Sequence, residues 1–331
     1  MTAPESPSNS PSIPPNESLP PVEPPSPGFL VQLFVIPAVI VAIIVVVWTM
    51  FTWLAQKGND VDSYLVALRR DTPARWQAAV SLADLVRSSG DEGIRRDAQV
   101  AQQLKDILHQ ELTNGRTDEP ALQLRAYLCN ALGEFRVPDV LPALLEASTK
   151  EKGEAEKSVR FAALKSIAVY IDANPAERAA SADKIQAVID QAAQDDKPLL
   201  RSTAAFAYSA LDTEAARAGL GRLLQDSTPD VRYNAALMLA RRGDARAVDV
   251  LTEMLAADAP VSAETDEDKQ DIPQKRMAVQ INALRTIEML AKPDGKLPLD
   301  TLQKAVESLA TGDAPAPVKA QAIETLAKLK R

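Results

Sequence analysis

The sequence predicts an all-α protein: an α-solenoid of about seven helix pairs, preceded by a disordered tail and one transmembrane helix. Beyond residue 55, apolar residues recur at spacings of three and four, and no run alternates as a half-buried strand does. One short motif also returns at intervals of 31 to 50 residues, within the range of helical repeats. Its seven copies begin at Ala74, Leu124, Val159, Leu200, Val231, Val279 and Val318.

The first segment, residues 1–28, is rich in proline and serine and contains three glutamates but no lysine or arginine. A stretch of this composition buries too little apolar surface to offset the entropy of ordering it. We therefore expect a disordered, proline-rich tail.

The second segment, residues 29–55, contains no charged residue and is dominated by valine, isoleucine and other apolar types. At ~1.5 Å per residue it forms a helix of about 40 Å, which is long enough to cross a ~30 Å hydrocarbon core. Phe29 lies at one end and Trp48 and Trp53 near the other, where aromatic side chains anchor a helix at the membrane interfaces. The sequence therefore predicts a single span in a lipid bilayer.

A cleaved signal peptide is the alternative interpretation of this segment. Three features disfavour it: the basic region that precedes the apolar core of a signal peptide is missing, the apolar run is too long, and no small-residue cleavage site follows.

The third segment, residues 56–331, carries the repeats. In each copy an apolar residue is followed by a residue that is basic in all but one copy, and then by small or apolar residues four, five and eight positions after the first. Small residues let neighbouring helices approach closely, while the apolar positions form a continuous core that only stacking can bury. Between successive motif helices lies a second amphipathic helix, so the unit is helix A, a short turn and helix B.

The most complete copy spans residues 226–243 and contains the pattern D-x-x-P-x-V-R-x-x-A-A-x-x-L. This pattern resembles HEAT repeats, especially the bacterial HEAT-like class first associated with phycobilisome lyases. The resemblance covers residues from about 60 to 331. Three positions depart from it: Leu128 stands where alanine is expected, Tyr208 where leucine is expected, and Gln280 where arginine is expected.

The basic motif residues form a column that we call the ladder. In HEAT-like repeats this position is similar to an internal one, which pairs with acids or carbonyl groups of an adjacent turn. We therefore interpret the ladder as structural, with nearby acids such as Asp71, Asp118, Asp196, Asp226 and Asp313 as partners. The ladder residues are Arg75, Arg125, Arg160, Arg201, Arg232 and Lys319.

The charge pattern and the cysteine content each exclude one class of protein. The chain has a formal net charge of −8, and the acidic excess lies in the tail and in a loop at 258–271, so no basic stripe for nucleic acid is present. The single cysteine, Cys129, excludes an intrachain disulfide framework and is expected to be buried. The acidic loop lacks the residue order of a calcium loop and is expected to be a solvated insertion.

No residue pattern points to catalysis, a metal or a cofactor. His109 is the only histidine, and one histidine cannot supply the several His-Glu pairs of iron-dependent HEAT enzymes. Phosphate-binding loops, nucleophile elbows and zinc-protease motifs are also missing from the sequence.

Three functions fit these observations. The leading hypothesis is a non-catalytic, membrane-anchored scaffold that binds an unknown protein through its B helices. The first alternative is a lyase or lyase subunit like the phycobilisome-type enzymes that share these repeats. The second is a spacer that recruits partners through proline-rich segments of the tail, such as residues 20–25.

The orientation in the membrane follows from basic residues close to the span. The tail has none, whereas Lys57, Arg69 and Arg70 follow the span closely. Because basic residues in short flanking segments stay cytoplasmic, we expect the tail outside and the solenoid in the cytoplasm.

Overall fold

The computed structural model describes residues 28, 31–57, 61–89, 93–150, 153–263, 269–290 and 299–329. The chain divides into two compact units, Met1–Asn59 and Asp60–Arg331. Most of the predicted tail, Phe29 and the centre of the acidic loop lie outside the described residues.

The first unit contains one long apolar helix. A π-helical turn, Val31–Val35, leads into helix α1, Ile36–Lys57. Pro37 lies in the first turn of α1. Its missing N–H and its ring disfavour ordinary α-helical geometry in the residues just before it, and the wider π-helical turn lies at those residues. The segment Val31–Thr52 has a mean hydropathy of 2.9 and is long and apolar enough to cross a membrane, although a signal sequence meets the same criterion.

The aromatic residues expected at the membrane interface are described only in part. Trp48 lies in α1 and its side chain is largely exposed. Trp53 also belongs to α1, but its side chain lies outside the described residues, as does the whole of Phe29. The hydroxyl groups of Thr49 and Thr52 donate to carbonyl oxygens one turn earlier in the helix. These two hydroxyl groups are thus satisfied within their own helix.

The second unit confirms the all-α solenoid. Its described residues contain no strand, and their helices form seven consecutive A–B pairs, with a short extra helix α8, Pro175–Ala180, after the third pair. The A helices are α2 (Val61–Arg69), α4 (Ala98–Asn114), α6 (Leu141–Thr149), α9 (Ala182–Ala192), α11 (Glu214–Leu223), α13 (Val248–Leu255) and α15 (Leu299–Thr311). The B helices are α3 (Arg75–Ser88), α5 (Glu119–Gly133), α7 (Lys157–Ala173), α10 (Pro198–Ser209), α12 (Pro229–Ala240), α14 (Ile272–Leu290) and α16 (Ala316–Leu329).

The B helices form an uninterrupted row. Each one packs against the A helix of its own pair and against the next B helix, from α3 through to α16. The B helices are the motif helices, so the sequence motif marks the row that links the pairs. Proline in the first turn of α5, α10 and α12 begins these helices, because that position has no intrahelical N–H bond to lose.

One hydrophobic core runs along the whole second unit, from Leu65 in α2 to Ala322 in α16. The first motif residue is fully buried in most copies, including Val159 and Val231, and Cys129 is buried as expected. Leu326 is only half-buried, because α16 is the last B helix and no later pair in the described chain covers it.

Helices α5 and α7 approach closely at Gly133. A Cβ atom on this residue would lie 2.8 Å from the Cβ atom of Ser166 and 3.0 Å from its Cα atom. Because backbone atoms of α7 are involved, a side-chain rotation cannot relieve the clash. Glycine is therefore required here by helix packing and not by backbone conformation.

We predict that Gly133→Ala destabilises the solenoid although alanine is the better helix former. Overpacking costs about 1–3 kcal/mol, and helix propensity returns at most about 1 kcal/mol. Urea unfolding of the full chain in detergent, followed by circular dichroism, measures the change. Adding Ser166→Gly should recover part of the loss, since it removes the opposing Cβ atom. Equal or greater stability of the single variant would contradict the close approach.

Candidate functional site

The ladder residues lie near the start of the B helices, beside the loops that join helices A and B. Arg201 shows the arrangement best. Its guanidinium donates to the Asp195 and Asp196 carbonyl oxygens at 2.9 and 3.2 Å, in the loop of its own pair. It also makes a two-pronged hydrogen bond with the Asp226 carboxylate at 2.7 and 2.9 Å. Further bonds to loop carbonyls join Arg125 to Arg116, Arg232 to Asp226 and Ser227, and Lys319 to Gly312.

The ladder joins consecutive pairs as well as the loops within them. Asp226 follows the A helix of the fifth pair, whereas Arg201 belongs to the fourth, so their ion pair crosses the boundary between pairs. The Arg201 guanidinium lowers the pKa of Asp226, against the opposing effect of burial. The same crossing occurs at the first, third and fifth pairs. It connects Arg75 to Glu111, Arg160 to Asp195, and Arg232 to Glu253.

The acids that meet the ladder differ in part from those expected. Asp226 accepts from Arg201, but Asp118 instead caps the first turn of α5. Asp71 faces Arg116 at 3.7 Å. In the first, third and fifth pairs the ladder arginines donate to the carboxylates of Glu111, Asp195 and Glu253, which lie 21 to 36 residues after them. A window confined to one repeat does not reveal them.

Sequence reasoning missed a second set of contacts, at the opposite ends of the B helices. Arg242 donates to the carbonyl oxygens of Ser209, at 2.7 Å, and of Leu211, just beyond the end of α10. Burial lowers the pKa of Arg242. Arg95 likewise donates to the Val86 carbonyl at 2.9 Å near the end of α3. Each arginine comes from the segment after its own B helix, and the motif gives no sign of these residues.

In the sixth pair an uncharged residue, Gln280, takes the place of the basic ladder residue. Gln280 is buried, and its amide donates 3.0 Å to the Ala256 carbonyl at the end of α13. It thus keeps the bond within the pair that the basic residues make. Glutamine is shorter than arginine and carries no charge, so it cannot form the ion pair to the next repeat.

The B row also presents apolar side chains to solvent. In α10, Leu199 and Phe206 are 46% and 40% exposed, and their seven-residue spacing puts both on one helix face. Phe206 and Val169 of the preceding B helix line a surface cavity of about 410 Å³, which Glu134, Arg136 and Asp172 border with charge. We call Val169, Leu199 and Phe206 the B-row patch.

Aromatic residues stand nearer the start of the row. Trp76 in α3 and Tyr127 in α5 stack with ring centroids 6.3 Å apart and an interplanar angle of 21°. Both are half-buried against the core. Their rings extend the apolar part of the B face across the first two pairs.

His109 lies on the surface of α4, where Nδ1 is 3.1 Å from a carboxylate oxygen of Glu146. Within the described residues, no three His, Cys, Asp or Glu side chains gather into a group that could hold a metal ion. The arrangement around His109 is an exposed side-chain contact between neighbouring A helices.

We predict that Asp226→Asn lowers the free energy of unfolding by about 2–4 kcal/mol at pH 7, because it removes one partner of a mostly buried ion pair. Asp84→Asn is the matched control, since Asp84 is exposed and its pairing with Arg87 at 3.5 Å is worth less than about 1 kcal/mol. Urea unfolding gives both values.

The same pair predicts a pH dependence. The pKa of Asp226 is lower in the folded chain than its unfolded value of about 3.9. The stability that it contributes is therefore complete above pH ~4 and is lost as the pH falls through the folded pKa. The difference between wild type and Asp226→Asn should shrink over that interval. A difference that stays constant would show that the charge of Asp226 is unimportant.

The comparison with protein families agrees with the repeat architecture. Residues 185–264 match the family model for HEAT repeats. The crystal structure of the Escherichia coli protein YibA is similar, with 17% identity over 85% of this chain and 96% of that one and a TM-score of 0.38. An engineered protein has 17% identity over 82% and 98% of the two chains, with a TM-score of 0.35. No curated protein sequence matches the chain. The central residues thus match HEAT repeats, and the same helix-pair arrangement extends to both sides of them.

Proposed function

We propose that this protein is a non-catalytic, membrane-anchored scaffold whose B helices bind another protein. The observation that carries the proposal is the B-row patch in the middle of the solenoid. Large apolar side chains in the second unit are otherwise mostly packed into the core. An exposed apolar centre with a charged border is the usual composition of a protein-binding surface.

The chemistry of the B-row patch favours a protein partner over nucleic acid. Its centre offers aliphatic and aromatic surface, and its border has one basic residue, Arg136, beside Glu134 and Asp172, so it lacks the basic excess that phosphate groups require. Phe206 is suited to the role of a central contact, because aromatic side chains dominate the binding energy of many interfaces.

We predict that Leu199→Ser with Phe206→Ser abolishes partner binding and leaves the fold intact, because both side chains are substantially exposed. Val66→Ser is the control, as Val66 is 49% exposed on an A helix. A photo-crosslinking amino acid at position 206 or 66 identifies the contact in cells, and the purified partner then gives an affinity. A loss of at least tenfold is expected for the double substitution alone. Equal binding by wild type and both variants would contradict the proposal.

The anchor is part of the same proposal. The uninterrupted apolar surface of α1 and its internally bonded threonines suit a helix that remains in a bilayer. The absence of lysine and arginine before the span, and the basic residues that follow it, favour a cytoplasmic solenoid.

We predict that the mature protein keeps its N-terminal segment, and that protease added to intact cells removes only the tail. Intact-mass analysis of the membrane-extracted protein tests the first point, because cleavage of a signal peptide would remove most of residues 1–57. Immunoblotting with antibodies against the solenoid tests the second. Digestion of the solenoid from outside would reverse the orientation, and a shortened mature chain would eliminate the anchor.

A further inference from the structure

The interruption of the ladder coincides with an opening between the sixth and seventh pairs. At the first pair, the crossing between pairs is filled by Arg75 and Glu111, and Glu111 lies three residues before the end of α4. At the sixth pair the corresponding position three residues before the end of α15 is Ser308, opposite Gln280. Neither side chain reaches across as an arginine and a glutamate do.

A cavity of about 500 Å³ occupies this place, and Gln280 and Ser308 both line it. Most of its wall is apolar, with Leu255, Met277 and Leu309 from three different helices. The volume lies within the range of small-molecule sites, which are mainly apolar with a few polar groups that fix orientation.

One positive group faces the cavity. The guanidinium Nε of Arg276 donates to the Ala259 carbonyl at 3.1 Å, which fixes the side chain. Among the described residues this is the one side-chain hydrogen bond of Arg276, so its two terminal nitrogens are left for a ligand, and Arg276 lines the cavity. The residues just before α16, Gly312 to Pro315, form another part of the wall, so the positive end of a 14-residue helix lies beside the opening.

We propose that this cavity binds a small amphiphile with an apolar chain and a single carboxylate. The chain would lie against Met277 and Leu309, and the carboxylate would accept from the terminal nitrogens of Arg276, as planar carboxylates and guanidinium groups pair. Because Asp313 is exposed at the same wall as Arg276, the cavity has no excess of positive side chains, which disfavours a ligand of higher negative charge such as phosphate more than a single carboxylate. The site lies at the A–B loops of the last two pairs and is independent of the B-row patch.

The test measures octanoate binding to the full chain in lipid nanodiscs by equilibrium dialysis, with empty nanodiscs as the background. Octanamide is the matched probe, since it has the same chain without the charge. Wild type should bind one octanoate saturably and octanamide at least tenfold more weakly. Arg276→Gln should lower the octanoate affinity at least tenfold and bring it to the level of octanamide.

A second variant fills the cavity without weakening the fold. Gln280→Arg with Ser308→Glu places an arginine and a glutamate where the first pair has them. Octanoate binding should then be lost, while the thermal unfolding temperature stays equal to that of wild type or rises. A fall in octanoate binding with unchanged stability therefore separates occupation of the cavity from unfolding.

Two outcomes would overturn the proposal. One is the absence of saturable octanoate binding to wild type. The other is equal octanoate binding by wild type, Arg276→Gln and the filled variant, which would place the bound amphiphile in the lipid or elsewhere on the chain.

Discussion

The structure of the second unit depends on how closely consecutive B helices can stack. A single helix pair leaves an apolar face uncovered, and only the next pair can bury it. The small residues at the motif positions make this approach feasible, and at Gly133 the two helix backbones leave no space even for a methyl group. Because the same contact recurs along the row, one core extends from the first pair to the last instead of dividing into separate cores.

Close stacking brings the A–B loops of neighbouring pairs together and leaves their polar groups to be satisfied. The ladder meets this requirement, because an arginine such as Arg201 reaches both the carbonyls of its own loop and a carboxylate of the next pair. The charges of four ladder residues are therefore committed to joining repeats, namely Arg75, Arg160, Arg201 and Arg232. The two proposed sites lie outside these contacts: the B-row patch is on the exposed face of the B helices, and the cavity beside Gln280 is where the ladder is interrupted.

The sequence predicted the helices, their pairing and the burial of most motif positions, because these depend on local periodicity and on one repeated pattern. It did not identify Glu111 or Glu253 as ladder partners, since those contacts form only once two pairs are stacked. Arg242 escaped notice for a similar reason, as its carbonyl acceptors lie more than thirty residues earlier. Gln280 was visible as a departure from the motif, but the cavity beside it arises from three helices together.

The exposed apolar side chains of the second unit differ in their position along the row, and Met289, 56% exposed, lies one residue before the end of the B helix α14. Ile323 is exposed on the last B helix, where no later pair in the described chain covers it, and Val66 lies on the first A helix. Those exposures follow from being terminal. Leu199 and Phe206 lie on α10, which has a B helix packed on each side, so the end of the stack does not account for them. Two such side chains on one helix face therefore support the proposed protein-binding surface.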